Sequence, residues 1–175
     1  MDIEVLPPNI NESLRNFTVV PQQNKIRFGL LAIKNVGENI VQAIAEERKT
    51  GGPFKSIGNF INRIQSKDLN KKSMEALIKA GAFDAFAERN ELLQNLEKLL
   101  EIARENQKNK SSGQIGLFAV SLNPNYQEIK LEPTTPAKLL EKLKWEKELL
   151  GLYVSSHPLN GFRKVFESKT IAIAK

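Results

Sequence analysis

The amino-acid sequence predicts a mainly α fold, an array of short helices joined by tight turns, and three observations predict it. Apolar residues recur at three- and four-residue spacing in short runs, such as Ile40, Val41 and Ile44, or Ile57, Phe60, Ile61 and Ile64. Stop signals break these runs, Gly51-Gly52-Pro53 after the first and Ala80-Gly81-Ala82 after another built on Met74, Leu77 and Ile78. A stretch rich in Asn, Lys, Ser, Gly and Pro then separates them from a last leucine-rich run near the C-terminus.

Residues 1–24 contain Pro7-Pro8, Pro21 and scattered Asn, and read as an extended segment with a short strand about Phe17 and Val19. A helical pattern is expected from Ile26, carrying Phe28, Leu31 and Ile33 into a break at Asn35-Val36-Gly37. The next helix runs to about Arg48, because two glycines and a proline cannot continue it. Ser56 and Asn70 are the expected N-caps of the two helices that follow, since a short side-chain oxygen can accept from the first free amides. One long helix is expected from about Glu88 through Leu92, Leu93, Leu96, Leu99, Leu100 and Ala103. Residues 105–136 read as a flexible linker. A C-terminal helix resumes at about Ala137 with Leu139, Leu140, Leu143, Leu149 and Leu150, and the tail from Gly151 leaves room for a short strand. The expected units are therefore an extended segment 1–24, a helical domain 25–104, a linker 105–136, and 137–175 as a helix opening a further domain.

Composition narrows the function. There is no cysteine, which excludes disulfides and thiolate metal sites and points to an intracellular, cytoplasmic chain. No 18 consecutive apolar residues occur, so no membrane partner is expected. The net charge of +6 is concentrated, since residues 25–83 hold eleven Lys or Arg against five Asp or Glu. Clustered cations of this kind suit a phosphate backbone, although a solvated basic face would look the same.

The run from Leu30 through Asn35-Val36-Gly37 to Ile44 resembles a helix-hairpin-helix, two helices joined by a turn of the form small-apolar-Gly. Gly37 would let the backbone turn tightly and approach a ligand, and the second helix would present its first free amides and the positive end of its dipole. Arg27 and Lys34 add charge nearby, and Asn35, Val36, Gly37 and Asn39 complete the expected DNA contacts of this turn. Asn35 stands where most such turns have glycine, and Glu38 would compete with a phosphate. Ala80-Gly81-Ala82 is a second turn, preceded by Lys71, Lys72 and Lys79. A tandem pair contacting phosphates and not base edges implies double-stranded DNA binding that is sequence-independent and salt-sensitive.

Six phrases, among them Ile26-Arg27-Phe28-Gly29-Leu30, Leu77-Ile78-Lys79-Ala80-Gly81-Ala82-Phe83-Asp84 and Leu150-Gly151-Leu152-Tyr153-Val154-Ser155-Ser156-His157-Pro158-Leu159, occur in an order that resembles the alpha subunit of bacterial DNA polymerase III. The resemblance implies a segment of a far longer replicative DNA-directed DNA polymerase, from the C-terminal part of its fingers, ahead of an oligonucleotide-binding barrel. The parent chemistry needs paired carboxylates holding magnesium ions. The only aspartates here are Asp2, Asp68 and Asp84, so no catalytic residue, metal site or cofactor is expected in this chain, and nucleotidyl transfer by it alone is not expected.

Within the linker, Gln114-Ile115-Gly116-Leu117-Phe118 resembles the Gln-x-x-Leu-Phe peptide by which bacterial proteins attach to the sliding clamp. The resemblance implies that Leu117 and Phe118 fill an apolar pocket on the clamp and that the Gln114 amide hydrogen-bonds beside it. Other replisome subunits are further expected partners. His157 lacks companions for a metal site, and Gly51-Gly52-Pro53 lacks the Gly-Lys-Ser/Thr of a phosphate loop. A repair-type helix-hairpin-helix module and a purely protein-binding replisome scaffold are the alternatives. The loss of duplex affinity with salt separates the scaffold from either DNA binder.

Overall fold

The computed structural model describes residues 3–64, 66–111 and 129–162. It is a mainly helical array with one small sheet. Strands β1 (Glu4–Leu6), β2 (Thr18–Val20) and β3 (Lys25–Arg27) form that sheet in the order β1-β3-β2, β1 running parallel and β2 antiparallel to β3. The helices are α1 (Glu38–Gly51), α2 (Ile57–Arg63), α3 (Lys71–Lys79), α4 (Arg89–Gln94), α5 (Leu96–Ser111) and α6 (Leu139–Leu150). Short 3-10 turns cover Leu30–Ala32 and Asn160–Phe162.

Capping explains the starts of two helices. Ser56 accepts from the Asn59 amide at 3.1 Å and opens α2. Asn70 and Ser73 exchange bonds at the start of α3, a reciprocal cap that satisfies two otherwise orphaned donors. Behind these helices lies one core, with Phe28, Phe54, Phe60, Phe83, Ile40, Ile44, Met74 and Leu77 essentially without solvent contact. Phe60 stands edge-on to both Phe54 and Phe83, with ring centres 5.1 and 4.8 Å away.

Three elements differ from the sequence expectation. The pattern from Ile26 is a strand and a 3-10 turn, because Ile26 pairs with Val5 on one side and Val19 on the other. The long helix from Glu88 is two helices broken at Asn95, whose side chain bonds the backbone of Glu132 in both directions at 2.9 and 3.0 Å. Residues 129–132, inside the stretch 105–136 expected as a flexible linker, are thereby stitched to the core, with Ile129 and Leu131 packed against it, and α5 runs on to Ser111 within the same stretch. The tail leaves room for a short strand; residues 151–162 form none, and 163–175, which include Ile171 and Ile173, lie outside the described residues. Leu139 and Leu140 are largely exposed, and α6 instead buries Leu143, Trp145, Glu146, Leu149 and Leu150.

Candidate nucleic-acid interface

Strand β3 delivers the chain to the first bend. The bend is closed by amide bonds from Ile33 to the Leu30 carbonyl (3.2 Å) and from Val36 to the Ile33 carbonyl (3.1 Å). The left-handed residue is Asn35 at φ +70, and not Gly37, which is the extended N-cap of α1 at φ −85 and ψ 166. Gly37 therefore does not make the turn. What it contributes is clearance, because a Cβ built there would meet nothing within 4 Å. No side chain caps α1, so its first-turn amides have no partner of that kind. Val36 is buried and roots the bend in the core, while Lys34, Asn35, Gly37, Glu38 and Asn39 are exposed.

Arg15 joins this bend without having been expected there. Its side chain pairs with Glu38 at 2.7 Å, both groups more than half exposed. Leu14 and Arg15 are pinned beside the bend through their carbonyls, which accept from the amides of Leu30 and Leu31 at 2.9 and 3.0 Å. Gly29 permits that approach, since a Cβ there would fall 2.4 Å from the Asn16 carbonyl carbon. The sequence signal was the glycine inside Phe28-Gly29-Leu30, whose partner loop no local pattern could name. Arg27 turns inward: it donates to the Pro7 carbonyl at 2.9 Å and pairs with Glu12.

The second bend is built differently. Gly81, at φ +84, is buried, and its amide and that of Ala82 are spent on the carbonyls of Ile78 and Leu77 at the end of α3. Arg89 lies over it, so close that a Cβ on Gly81 would sit 2.4 Å from Nη2. Asp84 holds that guanidinium by three contacts of 2.7–3.2 Å. The helix beyond, α4, is capped by Glu88, which accepts from the Asn90 amide at 2.7 Å. The two bends thus offer different faces, the first open and uncapped, the second filled by a cation and capped by an acid.

Of the α3 lysines, Lys72 is exposed. Lys71 pairs with Glu97 at 2.5 Å, and that hydrogen bond and charge hold its ammonium above the ordinary lysine range. Lys79 pairs with Glu75 at 2.5 Å and lies 5.8 Å from the centre of the Trp145 ring. Gln114, Leu117 and Phe118 lie outside the described residues. Among the described residues no group of three or more His, Cys, Asp or Glu converges on a point that could hold a metal ion. No described helix is long and apolar enough to cross a membrane.

An array of short helices carrying an open bend of this kind defines a class, and the comparison with family models agrees. The chain belongs to the helix-hairpin-helix motif family, whose model matches residues 2–92. Relatives that it matches include alpha subunits of DNA polymerase III. That of Thermus aquaticus is 46% identical over 91% of this chain and 12% of its own length. That of Deinococcus radiodurans is 41% identical over 99% of this chain and 13% of its own length, and that of Borreliella burgdorferi 40% over 95% and 15%. The chain thus matches one segment, about an eighth of the length of these relatives.

Proposed function

We propose that this chain binds double-stranded DNA without reading its sequence, as one segment of a replicative DNA polymerase III alpha subunit acting in the cytoplasm. The observation that carries the reading is the first bend, where the uncapped start of α1, the clearance over Gly37 and the exposed Lys34 and Asn39 meet. Backbone amides at a helix start and a nearby ammonium favour a phosphate, a contact that carries no sequence information. Arg15 stands at the same mouth, and Lys72 adds charge on α3. Arg27 braces the N-terminal segment at Pro7 and Glu12, and Gly81 makes the second bend. In the whole parent, template-directed synthesis with magnesium belongs to residues outside this segment. Gln114, Leu117 and Phe118 attach the parent to the sliding clamp.

Duplex titration followed by fluorescence anisotropy tests the reading. Affinity is expected to fall steeply between about 50 and 200 mM salt, with a logarithmic slope of roughly −0.9 for each phosphate contact. Gly37→Val, which fills the clearance, should weaken binding at least about tenfold, the loss of one or two charge-assisted contacts. Binding indifferent to salt, or equal in the two proteins, would overturn it. For the clamp peptide, replacing both Leu117 and Phe118 by Ala should abolish binding to purified clamp.

A further inference from the structure

Helix α6 is fastened to the hairpin unit at three points. At its start, Glu88 accepts from the Ala137 amide at 3.1 Å and pairs with Lys142 at 2.8 Å. In its middle, the fully buried carboxylate of Glu146 gives one oxygen to Arg89, at 3.3 Å from Nη1 and 3.4 Å from Nη2. Its other oxygen takes the amides of Val154 and Ser155 at 2.9 and 3.0 Å. At its end, the Leu149 carbonyl accepts from the Lys34 amide at 3.0 Å, inside the first bend. Glu146 and Leu149 are three residues apart, less than one helical turn, so a shift at one is a shift at the other.

We propose that Glu146 is a positioning residue for the first bend: its carboxylate fixes the rotation and depth of α6, and α6 fixes Lys34 and Asn35 through the Leu149 carbonyl. The proposal rests on the duplex-binding reading above. Both carboxylate oxygens are used, so α6 cannot rotate or slide without stranding a buried charge. Buried ion pairs of this kind are often no more stable than apolar replacements, and what the pair provides here is one geometry. The bend requires such support. Asn35 holds a left-handed backbone that a non-glycine residue keeps only where its surroundings over-determine it, and the bond from Lys34 is on the residue directly before it. Arg89, the other partner of Glu146, fills the second bend, so the same carboxylate ties the two bends together.

The test compares Glu146→Gln with Leu99→Ala in the full 175-residue chain; Leu99 is buried in α5, and the alanine serves as a destabilised control. Hydrogen exchange of the Lys34 amide is read against core amides of α3, and duplex affinity is measured at a temperature where both variants are folded. Glu146→Gln should speed Lys34 exchange by about tenfold beyond any change in α3, and weaken duplex binding by roughly threefold or more. Leu99→Ala should speed exchange evenly and leave the affinity of the folded protein unchanged. The proposal is overturned if Lys34 exchange in Glu146→Gln merely tracks α3, or if both variants lose affinity alike. A wild-type chain with no salt-sensitive duplex binding would instead sink the duplex reading, and the exchange comparison would still decide whether Glu146 sets the bend.

Discussion

Arg15 reaches across to Glu38, the first residue of α1, and pairs at 2.7 Å with this acid at the mouth of the first bend. The two charges act oppositely on a phosphate arriving at that helix start. Glu38 suits the helix dipole, a contribution of about 0.3–1 kcal/mol, yet repels the ligand. Glu38→Gln is therefore expected to lower the melting temperature by a few degrees while tightening duplex binding about two- to fivefold, the scale of one exposed charge pair. Arg15→Ala should weaken binding by a similar factor and flatten its salt dependence. Melting and anisotropy on the same samples check both signs. Looser binding by Glu38→Gln would mean that no phosphate approaches this mouth.

Gly81 and Gly37 hold different places in their bends, the one left-handed at the end of α3 and the other an extended N-cap of α1, and alanine should distinguish them sharply. Gly81→Ala forces a side chain into a left-handed backbone, costing about 1–2 kcal/mol, and drives a Cβ into the buried Arg89. A total of about 3 kcal/mol follows, or roughly 6–12 °C for a chain of this size. Gly37→Ala meets no atom and needs no unusual φ, so it should cost less than about 1 kcal/mol, the loss of a tolerable N-cap. Thermal unfolding of the two variants side by side measures the difference.

That contrast marks where the sequence stops being legible. The caps at Ser56 and Asn70, the Gly51-Gly52-Pro53 stop and the core faces of α1, α2 and α3 are local devices, and each was readable from residues three or four apart. The second bend was readable as a turn but not as a filled one, because Asp84 lies close by in sequence whereas Glu146 is 57 residues beyond Arg89. Arg15 was missed for the same reason: its place at the mouth depends on two carbonyls pairing with Leu30 and Leu31 across the chain. The segment from Ile26 misled because an apolar run of three or four residues fits a strand and a helix equally, and only pairing with β1 and β2 decides between them.

Acid should loosen the start of α6 before the rest of the fold. Burial pushes the Glu88 carboxyl up, but hydrogen bonds from Lys142 and from the Ala137 and Asn90 amides outweigh it and leave the group below the ordinary glutamate range. A carboxylate depressed in the folded state contributes stability above its unfolded value of about 4.3 and loses it as pH falls through the folded value. Acidification from about pH 4.3 downward should therefore release Ala137 and Lys142. Exchange or near-ultraviolet signals from Trp145, on the same helix, should change early on that limb, and Glu88→Gln should remove the step while costing stability at neutral pH.

Asn35 offers the sharpest test of how the first bend is held. Its φ of +70 is a position where glycine carries no steric penalty, asparagine a small one and a β-branched residue a large one. Asn35→Gly exchanges relief of that strain for extra freedom in the unfolded chain, so its stability should stay within about 1 kcal/mol of wild type. Asn35→Val should lose about 2 kcal/mol or more, roughly 4–8 °C, and should speed exchange of the Lys34 amide, because the valine can relieve its strain only by pulling the bend away from the Leu149 carbonyl. If Asn35→Val melts with wild type and keeps Lys34 protected, the left-handed turn is not what shapes this bend, and the open amides of α1 must owe their placement to Val36 and Gly29 alone.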